Sequence, residues 1–110
     1  MQIRELDLKE LYIAYDVVKH LIKELSYQEF EDLIYDMRYM NYKMFGVFEK
    51  DKLVTYAGVA VQTTLKDKRH LVVFDIFTCR DYKDRDYTKM MRDYLSDYAK
   101  TCMCKKVLYL

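Results

Sequence analysis

The spacing of apolar residues divides the chain into eight elements. Five segments have the alternation or the β-rich composition of strands: residues 1–6, 42–49, 53–65, 70–78 and 106–110. Three segments keep the spacing of an amphipathic helix: residues 8–25, 26–37 and 87–102. The pattern therefore predicts one domain with the element order β-α-α-β-β-β-α-β.

Two capping-box patterns indicate where the first two helices begin. Asp7 is followed three residues later by Glu10, and Ser26 is followed by Glu29. In such a pair the first side chain accepts from a backbone N–H, and the acidic side chain bonds back to the first residue. We therefore expect the first helical segment to stop at Ser26, where the second one starts.

Short polar segments connect the three central strands, at residues 50–52 and 66–69. Connections of this length between β-rich runs predict antiparallel hairpins. Neither segment contains glycine or an Asn-Gly pair, which two-residue primed turns prefer. We therefore expect loops longer than two residues.

The composition excludes several classes of protein. Hydrophobic residues make up 52% and charged residues 34% of the 110 residues, which excludes a disordered tail. The chain has 2 glycines and no proline, which excludes collagen-like and low-complexity sequences. Its formal net charge of +1 argues against a nucleic-acid partner bound through a strongly basic surface.

The sequence also indicates where the protein resides and whether it holds a metal. No segment approaches the roughly 20 apolar residues that cross a bilayer, and the first residues lack the apolar core of a signal peptide. We therefore expect a cytoplasmic protein with no membrane partner and with reduced thiols. We expect no metal site, because zinc normally takes four ligands and the cysteine pair, Cys102 and Cys104, lies far from both histidines.

The segment that begins within the fourth predicted strand and continues past it reads DIFTCRDYKDRDYTKMM, residues 75–91. Together with the element order, it resembles the GNAT superfamily of acyl-CoA-dependent N-acetyltransferases. In that family the last strand of an antiparallel meander leads through a phosphate-binding turn, Arg/Gln-x-x-Gly-x-Gly/Ala, into a helix and a parallel strand. Lys83 stands in the basic position, Gly58 looks like the glycine of the family's third strand, and residues 105–110 are similar to the strand after the helix. The resemblance implies an α/β fold whose mixed, mainly antiparallel sheet is flanked by helices.

The resemblance also implies an activity: direct transfer of an acetyl group from acetyl-CoA to the primary amine of a small molecule or peptide. Acetyl-CoA would lie between the fourth and fifth strands. The cofactor-binding residues that the resemblance implies are Ile76, Phe77, Thr78, Lys83, Asp84, Arg85, Asp86, Tyr87, Thr88 and Lys89. Asp75 is the candidate general base, because it is the one acidic residue within its strand and burial among apolar neighbours raises a carboxyl pKa. The alternative is that Asp75 points to solvent.

The turn departs from the family pattern at its glycines. Asp86 and Thr88 occupy two positions where glycine lets backbone N–H groups approach a pyrophosphate, and Asp84 replaces another common glycine. The Asp86 carboxylate can also cap the helix and use those donors itself. Four basic residues against three aspartates still leave a charge of +1 over residues 79–89. Three interpretations therefore stay open: an acetyltransferase with a modified turn, a catalytically silent GNAT-like module that binds a protein partner or itself, and an unrelated α/β domain.

The C-terminal end departs from the family as well. Family members usually continue past the last predicted strand into another helix and further strands, whereas this sequence ends at Leu110. We expect residues 1–110 to form a single GNAT-like domain without those parts, either as a minimal version or as a piece of a longer chain. An exposed strand edge at this end is a place where a homodimer could form.

Overall fold

The order of strands and helices is the one that the sequence pattern predicts. The computed structural model describes residues 1–83 and 85–110. The strands are β1 (Gln2–Leu6), β2 (Tyr42–Glu49), β3 (Lys52–Thr64), β4 (Lys68–Thr78) and β5 (Val107–Tyr109). The helices are α1 (Leu11–Leu21), α2 (Tyr27–Met37) and α3 (Tyr87–Thr101). Short 3-10 turns lie at Leu8–Glu10, Arg38–Met40 and Arg80–Tyr82. Among the described residues, no helix is long and apolar enough to cross a membrane.

The five strands form one sheet in sequence order, from β1 at one edge to β5 at the other. β1 to β4 pair antiparallel with their neighbours, and β5 pairs parallel with β4 after the chain crosses over through α3. This arrangement is the mixed, mainly antiparallel α/β fold that the resemblance implies, and that prediction is confirmed.

The sheet is covered on both faces, α1 and α2 packing on one and α3 on the other. Successive strand residues point to opposite faces, so Met44 belongs to the cluster under α1 and α2 while Phe45 belongs to the cluster under α3. The buried residues of α1 and α2 are Leu11, Ala14, Val17, Val18, Phe30 and Ile34. Those of α3 are Tyr87, Met91, Leu95 and Ala99. Burial on both faces explains the nearly continuous apolar runs of the central strands.

α2 starts where predicted, but the capping box at Asp7 starts the 3-10 turn Leu8–Glu10, and α1 begins only at Leu11 and is shorter than expected. Both hydrogen bonds of the capping box at Asp7 form, and Ser26 Oγ accepts from the Glu29 N–H at 3.1 Å. α1 nevertheless ends at Leu21 rather than continuing to residue 25. The Tyr15 hydroxyl donates to the Leu25 carbonyl at 2.7 Å, which holds the connecting turn against α1. The helix therefore ends before its apolar spacing does.

The expectation of longer hairpin loops is wrong for the first hairpin. Glu49 pairs with Lys52, which leaves a two-residue loop in which Lys50 adopts φ 56°. The second hairpin has a three-residue loop and places Lys68 at φ 57°. A lysine in this left-handed region costs about 1–2 kcal/mol, and pairing of the long strands offsets that cost. These turns therefore form because the strands pair on either side of them, and not because they contain turn-forming residues.

Gly58 lies opposite an irregularity in β4. The register places Gly58 across from Asp75 and Val59 across from Val73, so Phe74 is an extra residue that forms a β-bulge. The ring of Tyr42 lies directly over Gly58, where an added Cβ would overlap its hydroxyl oxygen and Cζ. Glycine is therefore required here for close approach of a neighbouring side chain.

Replacing Gly58 with alanine tests this contact. We expect Gly58→Ala to lower the free energy of unfolding by about 1–3 kcal/mol, because the new Cβ must displace the Tyr42 ring. Urea unfolding measures the change. In a Tyr42→Ala background the same substitution has nothing to displace, so its additional cost should disappear. An equal cost in both backgrounds would contradict the assignment.

Candidate functional site

Beyond Val73, the outer edge of β4 has no strand partner in the described part of the chain. β5 pairs with Leu71, Val72 and Val73, and the Leu110 N–H donates to the Val73 carbonyl at 3.0 Å. β4 continues to Thr78, and no strand in the described part of the chain pairs with its outer edge over residues 74–78. Backbone donors and acceptors along this edge are therefore available to an extended ligand.

Three threonine hydroxyls connect the end of β4 to the start of α3. Thr55 and Thr78 are buried with their oxygens 2.8 Å apart, and Thr78 lies 2.6 Å from the Thr88 hydroxyl. Each hydroxyl can donate one hydrogen bond and accept others, so the chain of contacts satisfies all three groups. It holds the first turn of α3 against the end of the open edge.

Asp86 is the N-cap residue of α3, but its side chain makes no capping hydrogen bond. The interpretation that this carboxylate occupies the helix donors is therefore wrong for this structure. The side chain is exposed, and only the Asp86 carbonyl takes part in the helix, accepting from the Met90 N–H at 2.9 Å. α3 thus presents the positive end of a 15-residue helix dipole beside the open edge of β4.

Two of the predicted basic residues lie against aromatic rings near this helix start. Lys83 Nζ is 5.3 Å from the centre of the Phe77 ring, and the Arg85 guanidinium is 5.5 Å from that of Tyr82. Cation–π contacts of this kind hold the side chains while leaving their charges exposed to solvent. The turn therefore presents positive charge next to the N-terminus of α3.

One other predicted residue is not brought into the turn. Lys89 pairs with Asp93 one helical turn further along α3, at 2.9 Å, and both side chains are exposed. Asp84 lies outside the described residues.

Tyr87 joins the start of α3 to the β2–β3 hairpin. It is buried, and its hydroxyl donates to the Glu49 carboxylate at the end of β2. This hydrogen bond lowers the pKa of Glu49 and raises the pKa of Tyr87, because it favours the ionised carboxylate and the neutral phenol. Tyr87 therefore fixes the position of the helix, and its hydroxyl hydrogen is already donated to Glu49.

Asp75 lies within the sheet and does not simply point to solvent. Its Oδ2 accepts a hydrogen bond from the Tyr42 hydroxyl at 3.1 Å, and that hydroxyl lies 2.8 Å from the Tyr56 hydroxyl. Burial raises the pKa of the half-buried Asp75 carboxyl, and the hydrogen bond from Tyr42 partly opposes this by lowering it. The arrangement is a half-buried carboxylate with a raised pKa that lies on the open edge of β4.

Tyr42 and Tyr56 were missed by the sequence analysis because each lies in an ordinary strand pattern. Gly58 supplied the available signal, since a glycine inside a strand indicates close approach of another group. His70, in contrast, is buried inside β4, with Nδ1 2.7 Å from the Lys68 carbonyl, and takes no part in this site.

The described residues show no metal centre. Within residues 1–83 and 85–110, no group of three or more histidine, cysteine, aspartate or glutamate side chains is placed to hold a metal ion. Cys79, Cys102 and Cys104 are free thiols.

A separate groove lies at the opposite end of the sheet. Its volume is about 680 Å³, and it runs between the start of β2, the end of β3 and the end of α3. Lys43, Arg69 and Tyr98 are among its lining residues. It contains none of the predicted site residues, so its size alone does not make it the functional site.

Comparison with known proteins agrees with this geometry. Residues 2–107 match the model of the acetyltransferase (GNAT) domain family. Comparison with curated proteins gives no match.

Solved structures of acetyltransferases have the same fold. A ribosomal-protein-alanine N-acetyltransferase from Brucella melitensis biovar Abortus superposes with a TM-score of 0.85 at 17% identity, covering 98% of this chain and 77% of its own. Glucosamine-6-phosphate N-acetyltransferase from Arabidopsis thaliana gives 0.77 at 16% identity, covering 99% and 80%. A predicted acetyltransferase from Clostridium acetobutylicum, solved with acetyl-CoA, gives 0.76 at 17% identity, covering 99% and 79%.

The family match spans nearly the whole chain, and the structural similarity extends over all of its elements. The interpretation as an unrelated α/β domain is therefore wrong. The chain belongs to the GNAT acetyltransferase family.

Proposed function

We propose that this protein is an acetyl-CoA-dependent N-acetyltransferase that acts on a primary amine. The observation that carries the proposal is the continuous path from Asp75, along the open edge of β4, to the N-terminus of α3. A carboxylate, an unpaired strand edge and a positive helix end are the three features that the reaction and its elongated co-substrate require.

The chemistry of the described residues fits acetyl-CoA. The open edge at residues 76–78 offers backbone hydrogen bonds to the amide-containing pantetheine arm. The pyrophosphate would lie at the start of α3, where the dipole favours an anion and the Asp86 carboxylate does not occupy the donors. Arg80 and Lys83 are exposed beside it and would add positive charge. When bound, acetyl-CoA supplies a thioester carbonyl that a neutral amine can attack.

Asp75 would activate the acceptor. An amine at neutral pH is an ammonium ion and has no lone pair for attack, so a proton must leave it first. The Asp75 carboxylate would take that proton, directly or through one water. Because its pKa is raised, the Asp75 carboxylate has a proton affinity closer to that of the amine than an exposed aspartate has.

Acetyl-CoA binding tests the cofactor half of the proposal. We expect isothermal titration calorimetry to show binding by the unaltered protein. Asp86→Gly should bind about two- to fivefold more tightly, because it removes a negative charge from the helix N-terminus. Asp86→Asn is the matched control: it keeps a Cβ at this position and removes the charge, so a gain in both variants assigns the effect to charge.

The same titration separates the enzyme from the silent module. Binding by Asp86→Gly alone would mean that the carboxylate has closed the cofactor site in the natural sequence. If neither protein binds acetyl-CoA, the cofactor assignment fails and a module that binds a protein partner becomes the better interpretation.

Replacing Asp75 tests the chemical half of the proposal. Asp75→Asn can still accept the hydrogen bond from Tyr42 but cannot take a proton, so we expect kcat to fall about 10²- to 10⁴-fold. The affinity for acetyl-CoA should not change. Assays with a panel of amine acceptors, at several pH values, provide the measurement.

The pH dependence has a definite sign. The base is active as a carboxylate, so kcat/KM of the unaltered enzyme should fall as the pH drops through the raised pKa of Asp75. The residual kcat/KM of Asp75→Asn should not show this fall at low pH. Asp67→Asn, which removes a carboxylate paired with Lys106 at the other end of β4, is the control. Full activity in Asp75→Asn would exclude Asp75 as the base.

A further inference from the structure

A row of two tyrosines and one aspartate crosses three strands next to the proposed reaction centre. Tyr42 from β2 and Tyr56 from β3 are both buried, and their hydroxyl oxygens lie 2.8 Å apart. Tyr42 then donates to Asp75 on β4 at 3.1 Å. Since the Tyr42 hydrogen is directed to Asp75, Tyr56 must be the donor in the contact between the two tyrosines.

The two oxygens of Asp75 have different surroundings. Oδ2 accepts from Tyr42, whereas Oδ1 has no hydrogen-bond partner among the described residues. Every buried side-chain oxygen in the described part of the chain has a hydrogen-bond partner. Since Oδ1 has none, it is in contact with water. Tyr42 thus holds one oxygen of the carboxylate and leaves the other accessible.

The backbone leaves space for the contact between Tyr42 and Asp75. A side chain at Gly58 would overlap the Tyr42 ring, so the glycine makes room for the hydroxyl to reach β4. The β-bulge at Phe74 sets the position of Asp75 relative to Gly58. Three strands therefore contribute to the orientation of a single carboxylate.

We propose that Tyr42 is a positioning residue for catalysis, supported by Tyr56, which fixes Oδ2 of Asp75 so that Oδ1 receives the proton of the acceptor ammonium. This inference rests on the proposed function. The ammonium loses one proton and becomes the neutral amine, and Oδ1 becomes the O–H of a neutral carboxylic acid. The Tyr42 phenol keeps its own proton throughout.

Burial has the largest effect on the pKa of Asp75, and the hydrogen bond from Tyr42 opposes it. The pKa of Tyr42 lies far above its ordinary range because the phenol is buried, so Tyr42 remains a donor at every working pH. α1 packs on β3 and β4 and turns uncharged residues to the sheet: Leu11, Ala14, Val17 and Val18. The hydrogen bond from Tyr42 is the one side-chain interaction of the described residues that shifts the pKa of Asp75, and it lowers it.

The experiment compares Tyr42→Phe and Tyr56→Phe with Tyr15→Phe. Tyr15→Phe is the matched control, because it also removes a hydroxyl hydrogen bond from the same cluster, where Tyr15 donates to Leu25 rather than to Asp75. Two readouts are used. One is the titration of the Asp75 carboxyl carbon by NMR, assigned with Asp75→Asn, and the other is the pH profile of kcat/KM.

We expect Tyr42→Phe to move the Asp75 titration midpoint upward, since burial is then unopposed, and to move the acid limb of kcat/KM upward with it. Tyr56→Phe should give a smaller shift in the same direction, and Tyr15→Phe none. At neutral pH, kcat of Tyr42→Phe should fall on the order of tenfold to a hundredfold because the carboxylate is no longer held. The KM for acetyl-CoA should stay constant.

The two readouts distinguish failure of the positioning role from failure of the proposed function. An Asp75 midpoint that is unchanged in Tyr42→Phe, or that shifts equally in Tyr15→Phe, overturns the positioning role whatever the activity. If the unaltered protein acetylates no amine while the midpoint moves as expected, the hydrogen bond is real and the proposed function is what fails.

Discussion

The contact of Tyr42 with Gly58 is the constraint on which the proposed centre depends. A buried phenol must have hydrogen-bond partners, and this one reaches Tyr56 and Asp75 because Gly58, the residue beneath its ring, carries no side chain. The β-bulge at Phe74 displaces β4 by one residue at the same level. The position of the half-buried carboxylate therefore depends on one local irregularity in an otherwise regular sheet.

The other end of the path is fixed by a second set of buried hydroxyls. The contacts from Thr55 through Thr78 to Thr88 hold α3 against the end of β4, and Tyr87 attaches the same helix turn to the β2–β3 hairpin. These contacts orient the helix N-terminus without glycine in the turn. The loss of the family's glycines removes space for close backbone approach, but the direction of the helix dipole is unchanged.

The sequence predicted the architecture well because apolar spacing and capping boxes are local signals. Ser26 began the second helix, as expected, although the first helix ended earlier, at Leu21. The order of the strands followed from their short connections. The signals failed where distant residues decide. Lys50 turns the chain in two residues because long strands pair around it, and no local pattern shows that Tyr42 reaches Asp75, 33 positions further along the chain. The Asp86 side chain, which a local rule assigns to capping, instead remains in solvent.

The most direct test of this account is to map coenzyme A onto the protein by amide chemical-shift perturbation. If the open edge and the helix end form the cofactor site, the largest changes should fall on residues 75–78 and 85–89, in one continuous band. Changes confined to the groove near Lys43, Arg69 and Tyr98, or no saturable changes at all, would contradict it.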